Sequence, residues 1–177
     1  MKTIVVYYSG KGSNRFLAGK AADALGCELV ELEPRLAPGV IFATAVKLSI
    51  GNKQLSQNFE DYDRVVLCGP IYMGSLAAPC SDFLHKYLKK VKKLDFITCC
   101  GSTDEKKNET FGYGKVFDKL EKRLGMQAGI FEAFPIELLL GEEQKGNDQA
   151  MMNIRMNEEN FKGEIIKRLG SFVARIG

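Results

Sequence analysis

The chain has 177 residues, of which 45% are hydrophobic and 27% charged. This length and apolar content predict one domain with a buried core, spanning residues 1–177. The net charge of +3 is too small to indicate nucleic-acid binding, and no apolar run approaches the roughly 20 residues of a membrane helix. The N-terminal residues lack a signal-peptide pattern, and the cysteines number five. We therefore expect free thiols in a cytoplasmic protein.

Short β-branched or aromatic runs alternate along the chain with segments of helical period. The predicted strands are Thr3–Tyr8, Glu28–Leu32, Arg64–Cys68, Phe96–Cys100 and a broken run over Ile130–Leu140. The predicted helices are Asn14–Leu25, Leu36–Ile50, Ala78–Val91, Tyr113–Leu124 and Phe161–Ile176. The polar stretch Gly141–Ala150 is predicted to be a loop before the last helix.

The first and third predicted strands are apolar at successive positions, which is typical of strands covered on both faces. Five strand–helix units of this kind predict a doubly wound α/β domain, with a five-stranded parallel sheet and helices on both faces. Pro135 interrupts the last strand, which indicates an edge position, a kink or two half-strands.

The loop that follows the first strand, residues 9–14, has the composition of a phosphate site. Ligands of open α/β sheets bind beyond the carboxyl ends of the strands. Two glycines here allow the backbone to approach a ligand closely. The next helix begins at this loop, so the positive end of its dipole faces the same place. The alternative is a tight turn that merely caps the helix. The candidate phosphate ligands are Ser9, Lys11, Gly12, Ser13 and Asn14.

This segment resembles the flavodoxin family, in which an apolar strand ending in an aromatic residue precedes a hydroxyl-rich phosphate loop. Ser9, Gly12 and Ala18 match in register. Asn14 replaces the usual Thr, although its amide can still donate, and Lys11 replaces a common hydroxyl residue. The resemblance implies the strand order 2-1-3-4-5. It also implies FMN as the cofactor, because the loop suits one phosphate and no second glycine turn follows.

Two further loops match the same family. Residues 69–79 resemble its flavin loop and imply that Tyr72 stacks on the isoalloxazine ring, whereas the alternative is an ordinary turn with a packed aromatic residue. The segment that begins at Thr98 resembles its flavin-edge loop. The resemblance assigns flavin contacts to Pro70, Ile71, Tyr72, Met73, Gly74, Cys99, Cys100, Gly101 and Ser102.

The sequence shows no catalytic triad, metal-ligand spacing or carboxylate pair, which fits a protein whose cofactor carries the chemistry. We expect an FMN-dependent redox protein that transfers electrons or reduces a small acceptor, such as a quinone, with NAD(P)H. The slightly basic charge and the absence of Trp favour a reductase, or a carrier with an acidic redox partner protein, over an acidic shuttle. The alternative is a flavin-free binding or regulatory module.

Two features leave several roles open. Residues 35–58 are longer than a minimal crossover, so they could cover the flavin, form a homodimer interface or build a substrate pocket. The vicinal pair Cys99 and Cys100 is either redox-active or packed in the core.

Overall fold

The computed structural model describes residues 1–177, apart from the side chain of Asp148. The strands are β1 (Thr3–Tyr7), β2 (Glu28–Glu31), β3 (Arg64–Cys68), β4 (Ile71–Tyr72), β5 (Ser75–Leu76), β6 (Leu94–Cys100) and β7 (Ala128–Pro135). The helices are α1 (Ser13–Leu25), α2 (Val40–Ala45), α3 (Ala78–Tyr87), α4 (Tyr113–Leu124), α5 (Asp148–Asn153) and α6 (Glu164–Ile176).

The central sheet has five parallel strands in the order β2-β1-β3-β6-β7. Because β4 and β5 form a separate antiparallel hairpin, this is the predicted order 2-1-3-4-5. The two continuously apolar strands, β1 and β3, lie in the middle of the sheet. The fold is therefore flavodoxin-like α/β, as predicted.

The core has two layers, one on each face of the sheet. Ile4 and Val6 of β1 pack in the cluster that contains side chains of α3 and α4. Val5 and Tyr7 point the other way and pack with α1 and α6. This alternation follows from the two-residue period of a strand. It confirms the prediction of helices on both faces.

A buried ion pair joins three strands at the amino ends, opposite the loops predicted to bind a ligand. The Asp95 side chain is 0% exposed and accepts hydrogen bonds from Arg64 Nε at 2.9 Å and Nη2 at 3.1 Å. It also accepts one from the backbone N–H of Ile130 at 2.7 Å. A Cβ at position 129 would lie 2.1 Å from Asp95 Oδ1, so Gly129 is required for this contact.

The predicted helix over Leu36–Ile50 is wrong. Only Val40–Ala45 forms an α-helix, preceded by a short 3-10 turn at Ala37–Gly39. The helix ends because Lys47 adopts a left-handed backbone with φ of 56°. The N–H of Leu48 then donates to Ala43 O at 2.8 Å, which closes the helix end.

The C-terminal part differs from the prediction at two places. The last helix begins at Glu164 rather than Phe161, because Gly163 has a φ of 61°. The predicted loop Gly141–Ala150 ends in α5, which Asn147 caps by accepting from the N–H of Ala150 at 3.0 Å. Strand β7 ends at Pro135 on the edge of the sheet, one of the arrangements that this proline indicated. Among the described residues, no helix combines the length and apolarity needed to cross a membrane.

Candidate functional site

The first loop, residues 9–14, connects β1 to α1 at the carboxyl end of the sheet. The N–H of Gly12 donates to Ser9 Oγ at 3.0 Å, and Gly12 has a φ of 100° that side chains rarely adopt. Within the described chain, the N–H groups of Ser13, Asn14 and Arg15 have no acceptor. These amides lie at the positive end of a 13-residue helix, an arrangement that attracts anions.

The side chains of Ser13 and Asn14 turn inward from this loop. Asn14 Nδ2 donates to Cys99 O at 3.0 Å, and Asn14 Oδ1 accepts from Cys99 N at 2.8 Å. Ser13 Oγ accepts from the N–H of Met156 at 3.1 Å. Asn14 therefore fastens the first loop to the end of β6. The donors left free at this loop include the backbone N–H groups of Ser13, Asn14 and Arg15 and the ammonium group of the exposed Lys11.

The second loop is built around the β4–β5 hairpin. Ile71 pairs with Leu76 and Tyr72 with Ser75. The turn between them needs positive φ at both central residues, 48° at Met73 and 67° at Gly74, as expected for a two-residue hairpin. A Cβ at Gly74 would lie 3.0 Å from Thr110 O. The hairpin tip therefore packs closely on residues 110–111.

Tyr72 links the hairpin to the first loop. A Cβ at Gly10 would lie 2.5 Å from Tyr72 Oη, so a side chain at this position would displace the phenol. Burial, followed by the proximity of Tyr8 and Cys80, raises the pKa of Tyr72 to about 12. The phenol is therefore neutral at physiological pH and lies beside the predicted phosphate loop.

A cavity of about 760 Å³ opens between the hairpin and the loop that follows β6. We call it the strand-end cavity. Its wall brings together four of the predicted site residues: Ile71, Cys100, Gly101 and Ser102. The other predicted residues lie outside this wall. They are Ser9, Lys11, Gly12, Ser13, Asn14, Pro70, Tyr72, Met73, Gly74 and Cys99.

The remaining wall comes from residues 106–115, which the sequence did not indicate as ligand-binding. They contribute Lys106, Glu109, Thr110, Phe111, Gly112, Tyr113 and Lys115. The segment folds back on itself, since a Cβ at position 112 would lie 2.1 Å from Lys107 O. The glycines at 112 and 114 permit such a fold, but they do not reveal which side chains face the cavity.

An ion pair of Asp104 with α6 holds this segment through Tyr113. Arg168 pairs with Asp104 and also donates from Nη1 to Ala133 O at 3.1 Å. Tyr113 Oη donates to Asp104 Oδ1 at 2.8 Å. The hydrogen bond from Arg168 is the main cause that holds the pKa of Asp104 below its usual value. The wall of the strand-end cavity is therefore tied to the core by a charged contact.

The vicinal cysteines are free thiols at the end of β6. Burial raises the pKa of Cys99 to about 12, and it raises the pKa of Cys100 as well. A thiol reacts as its thiolate. Protonated, buried thiols favour the packing role over the redox role. In the part of the chain that the structure describes, no group of three His, Cys, Asp or Glu residues could hold a metal ion.

Comparisons with known proteins agree with this geometry. The family model described as "Flavodoxin domain" matches residues 4–162. No curated protein matches the chain.

Among solved structures, a chain from Bacteroides eggerthii assigned as a flavoprotein is similar, with a TM-score of 0.63 and 18% identity over 75% of this chain and 87% of that chain. The flavoprotein from Lactobacillus acidophilus in complex with FMN has a TM-score of 0.56 and 13% identity over 75% and 91% of the two chains. The FMN-dependent NADH-azoreductase from Bacillus anthracis has a TM-score of 0.52 and 7% identity over 99% of both chains.

Proposed function

Because the chain belongs to the flavodoxin domain family, we propose that it binds FMN at the carboxyl ends of β1, β3 and β6 and acts as a redox flavoprotein. The observation that carries the proposal is the set of unpartnered amides at the start of α1, at the same end of the sheet as the strand-end cavity of about 760 Å³. Two of the similar structures contain FMN.

The residues present fit this cofactor in two parts. The N–H groups of Ser13, Asn14 and Arg15 would hold the phosphate, with Lys11 adding a positive charge. Ile71 and the backbone of residues 100–102 would border the ring in the strand-end cavity. Tyr72 joins the two parts, since its neighbour Ile71 lines the cavity and its hydroxyl reaches Gly10. Bound FMN would supply transfer of one or two electrons.

Within this class, we propose NAD(P)H-dependent reduction of a small acceptor such as a quinone. The net charge of +3 and the absence of Trp support this choice. An electron shuttle that docks basic partners is expected to be acidic, and this chain is slightly basic. Lys106 and Lys115 in the cavity wall add positive charge where an anionic nicotinamide nucleotide would approach. A carrier that docks an acidic redox protein is the second candidate, and the same lysines favour it.

FMN binding is tested by titrating the purified apoprotein with FMN and following the quenching of flavin fluorescence. Lys11→Glu places a negative charge beside the phosphate, and we expect the dissociation constant to rise about tenfold, which is ~1.4 kcal/mol. Lys89→Glu is the matched control, since Lys89 is exposed in the short turn that follows α3, and it should bind as the unchanged protein does.

The absence of quenching at a large excess of FMN would contradict the proposal and favour a flavin-free module. The reaction is tested separately by mixing the holoprotein with NADH or NADPH without oxygen. Bleaching of the flavin absorbance supports the reductase. A flavin that stays oxidised with both nucleotides, but is reduced by an electron-transfer protein, supports the carrier.

A further inference from the structure

A second cavity, of about 430 Å³, lies among α2, α3, α4 and the outer strand of the hairpin. We call it the helix cavity. It shares no lining residue with the strand-end cavity. Gly74, which the flavodoxin resemblance assigned to the flavin, lines the helix cavity. The floor is apolar and is formed by Ala43, Leu76, Val116 and Leu120.

The rim of the helix cavity carries an excess of positive charge. Lys47, Lys119 and Arg123 reach it from two different parts of the chain. None of the three has a carboxylate partner within the described residues. The one acidic side chain in the wall is Asp82. Its carboxylate already accepts hydrogen bonds from the N–H groups of Ile50 at 3.1 Å and Gly51 at 2.8 Å.

Two of these cations stand four residues apart on α4. Like charges at this spacing destabilise a helix by about 0.2–0.5 kcal/mol. Among the described side chains, the Arg123 guanidinium has a single hydrogen bond, a long one of 3.4 Å from Nη1 to Ser81 Oγ. Partial burial lowers the pKa of Arg123. Lys119 and Arg123 differ in this respect from Arg168 on α6, whose charge is balanced by Glu164 four residues earlier. An anion in the helix cavity would offset the unbalanced charge on α4.

We propose that the helix cavity binds a small amphipathic anion, an apolar ring or chain that carries a carboxylate or sulfonate group. The apolar part contacts Leu76, Val116 and Leu120, and the anionic group lies between Lys119 and Arg123. The volume is within the range of small-molecule sites, which are about 300–1,000 Å³. Three helices and the hairpin line the cavity, which is open to solvent on one side, and a volume of about 430 Å³ suits a small molecule better than an acidic peptide.

The hairpin relates the two cavities. Its first strand contributes Ile71 to the strand-end cavity, and its turn and second strand contribute Gly74, Ser75 and Leu76 to the helix cavity. A ligand in the helix cavity would therefore contact the back of the segment that borders the proposed flavin. The inference does not depend on FMN binding, because the residues that carry it lie outside the strand-end cavity.

The probe for the test is anilinonaphthalene sulfonate, an aromatic sulfonate whose fluorescence rises in apolar sites. The titration is done with the full chain, with and without saturating FMN. The double variant Lys119→Gln/Arg123→Gln should weaken binding at least about tenfold and remove most of the salt dependence. The matched control Lys90→Gln/Lys122→Gln removes the same charge from lysines outside the cavity and should bind within about twofold of the unchanged protein.

Equal affinity in the two double variants would overturn the proposal, because binding would then follow net charge alone. Displacement of the probe by FMN would also overturn it, since the probe would occupy the strand-end cavity. A third contrary result is the absence of probe binding together with binding of an acidic peptide. Circular dichroism of each variant confirms folding. If Lys119→Gln/Arg123→Gln unfolds, amide shifts of Val116 and Leu120 in the unchanged protein on adding the probe decide the question, and absent shifts refute the site.

Discussion

Asn14→Ala tests whether the first loop depends on an inward-facing amide. In the structure, the Asn14 side chain donates to Cys99 O at 3.0 Å and accepts from Cys99 N at 2.8 Å. Asn14 and Cys99 are each only 5% exposed, so both hydrogen bonds are shielded from bulk water. The variant leaves one buried backbone donor and one buried acceptor without partners at the carboxyl end of β6.

The expected cost follows from these two groups. A buried polar group left unpaired costs about 1–3 kcal/mol, so the loss of both bonds should lower the free energy of unfolding by about 3 kcal/mol. For a chain of this size, that corresponds to a fall in Tm of roughly 6–12 °C. Asn14→Asp keeps the acceptor for Cys99 N but removes the donor and buries a charge, so it should be at least as destabilising.

The assay is urea unfolding followed by far-ultraviolet circular dichroism, without FMN, so that a lost ligand cannot explain the result. Asn58→Ala is the control, because Asn58 is exposed and its side chain, among the described residues, bonds only to Asp61 Oδ1, at 3.1 Å. This control should change stability by less than about 0.5 kcal/mol. A loss below about 1 kcal/mol in Asn14→Ala, or one equal to the control, would refute the reasoning.

Three further predictions concern stability. Asp95→Ala leaves the Arg64 guanidinium without its carboxylate partner and should cost about 3–5 kcal/mol in urea unfolding; a loss under about 1 kcal/mol contradicts this. Met73→Asn should stabilise the protein by about 1 kcal/mol, because Met73 is 55% exposed with φ of 48° and Asn tolerates that backbone. Thermal unfolding measures the gain. The control Met126→Asn, at an exposed position with negative φ, should give no such gain. The pKa of Asp104 is lowered in the fold by Arg168. The stability that the Asp104 carboxylate contributes is therefore complete above its unfolded pKa of about 3.9, and it is lost as the pH falls through the lower pKa of the folded state. The urea midpoints of the unchanged protein and Asp104→Asn should converge below that pH, and a gap that persists in acid refutes the prediction.

The architecture could be predicted because it depends on local patterns. The runs in β1 and β3 are apolar at successive positions, which only a strand buried on both faces tolerates. A glycine follows α1 and α4 directly in the sequence, and Gly26 and Gly125 end these helices with a positive φ that glycine readily adopts. The prediction fails over most of residues 36–50, where the helical period of the apolar positions is weak and Lys47 takes a left-handed backbone.

The site was harder to predict than the fold, because its contacts join residues far apart in the chain. The sequence indicated Asn14 as a phosphate ligand, but the partner that the structure supplies, Cys99, is 85 residues away. Gly74 is predicted to contact the flavin, and the structure additionally places it in the wall of the helix cavity. The wall formed by residues 106–115 depends on a tight fold around Gly112, which no short motif describes.

The sequence alone determined the order of strands and helices and the end of the sheet at which a ligand would bind. Strand and helix periods are local, and the carboxyl ends of parallel strands always meet at one edge. The tertiary structure decided which atoms face that edge. Asn14 binds the end of β6, Tyr72 reaches Gly10, and two cavities lie on either side of one hairpin. These orientations depend on which side chains and backbone groups from distant segments compete for the same space and the same hydrogen bonds.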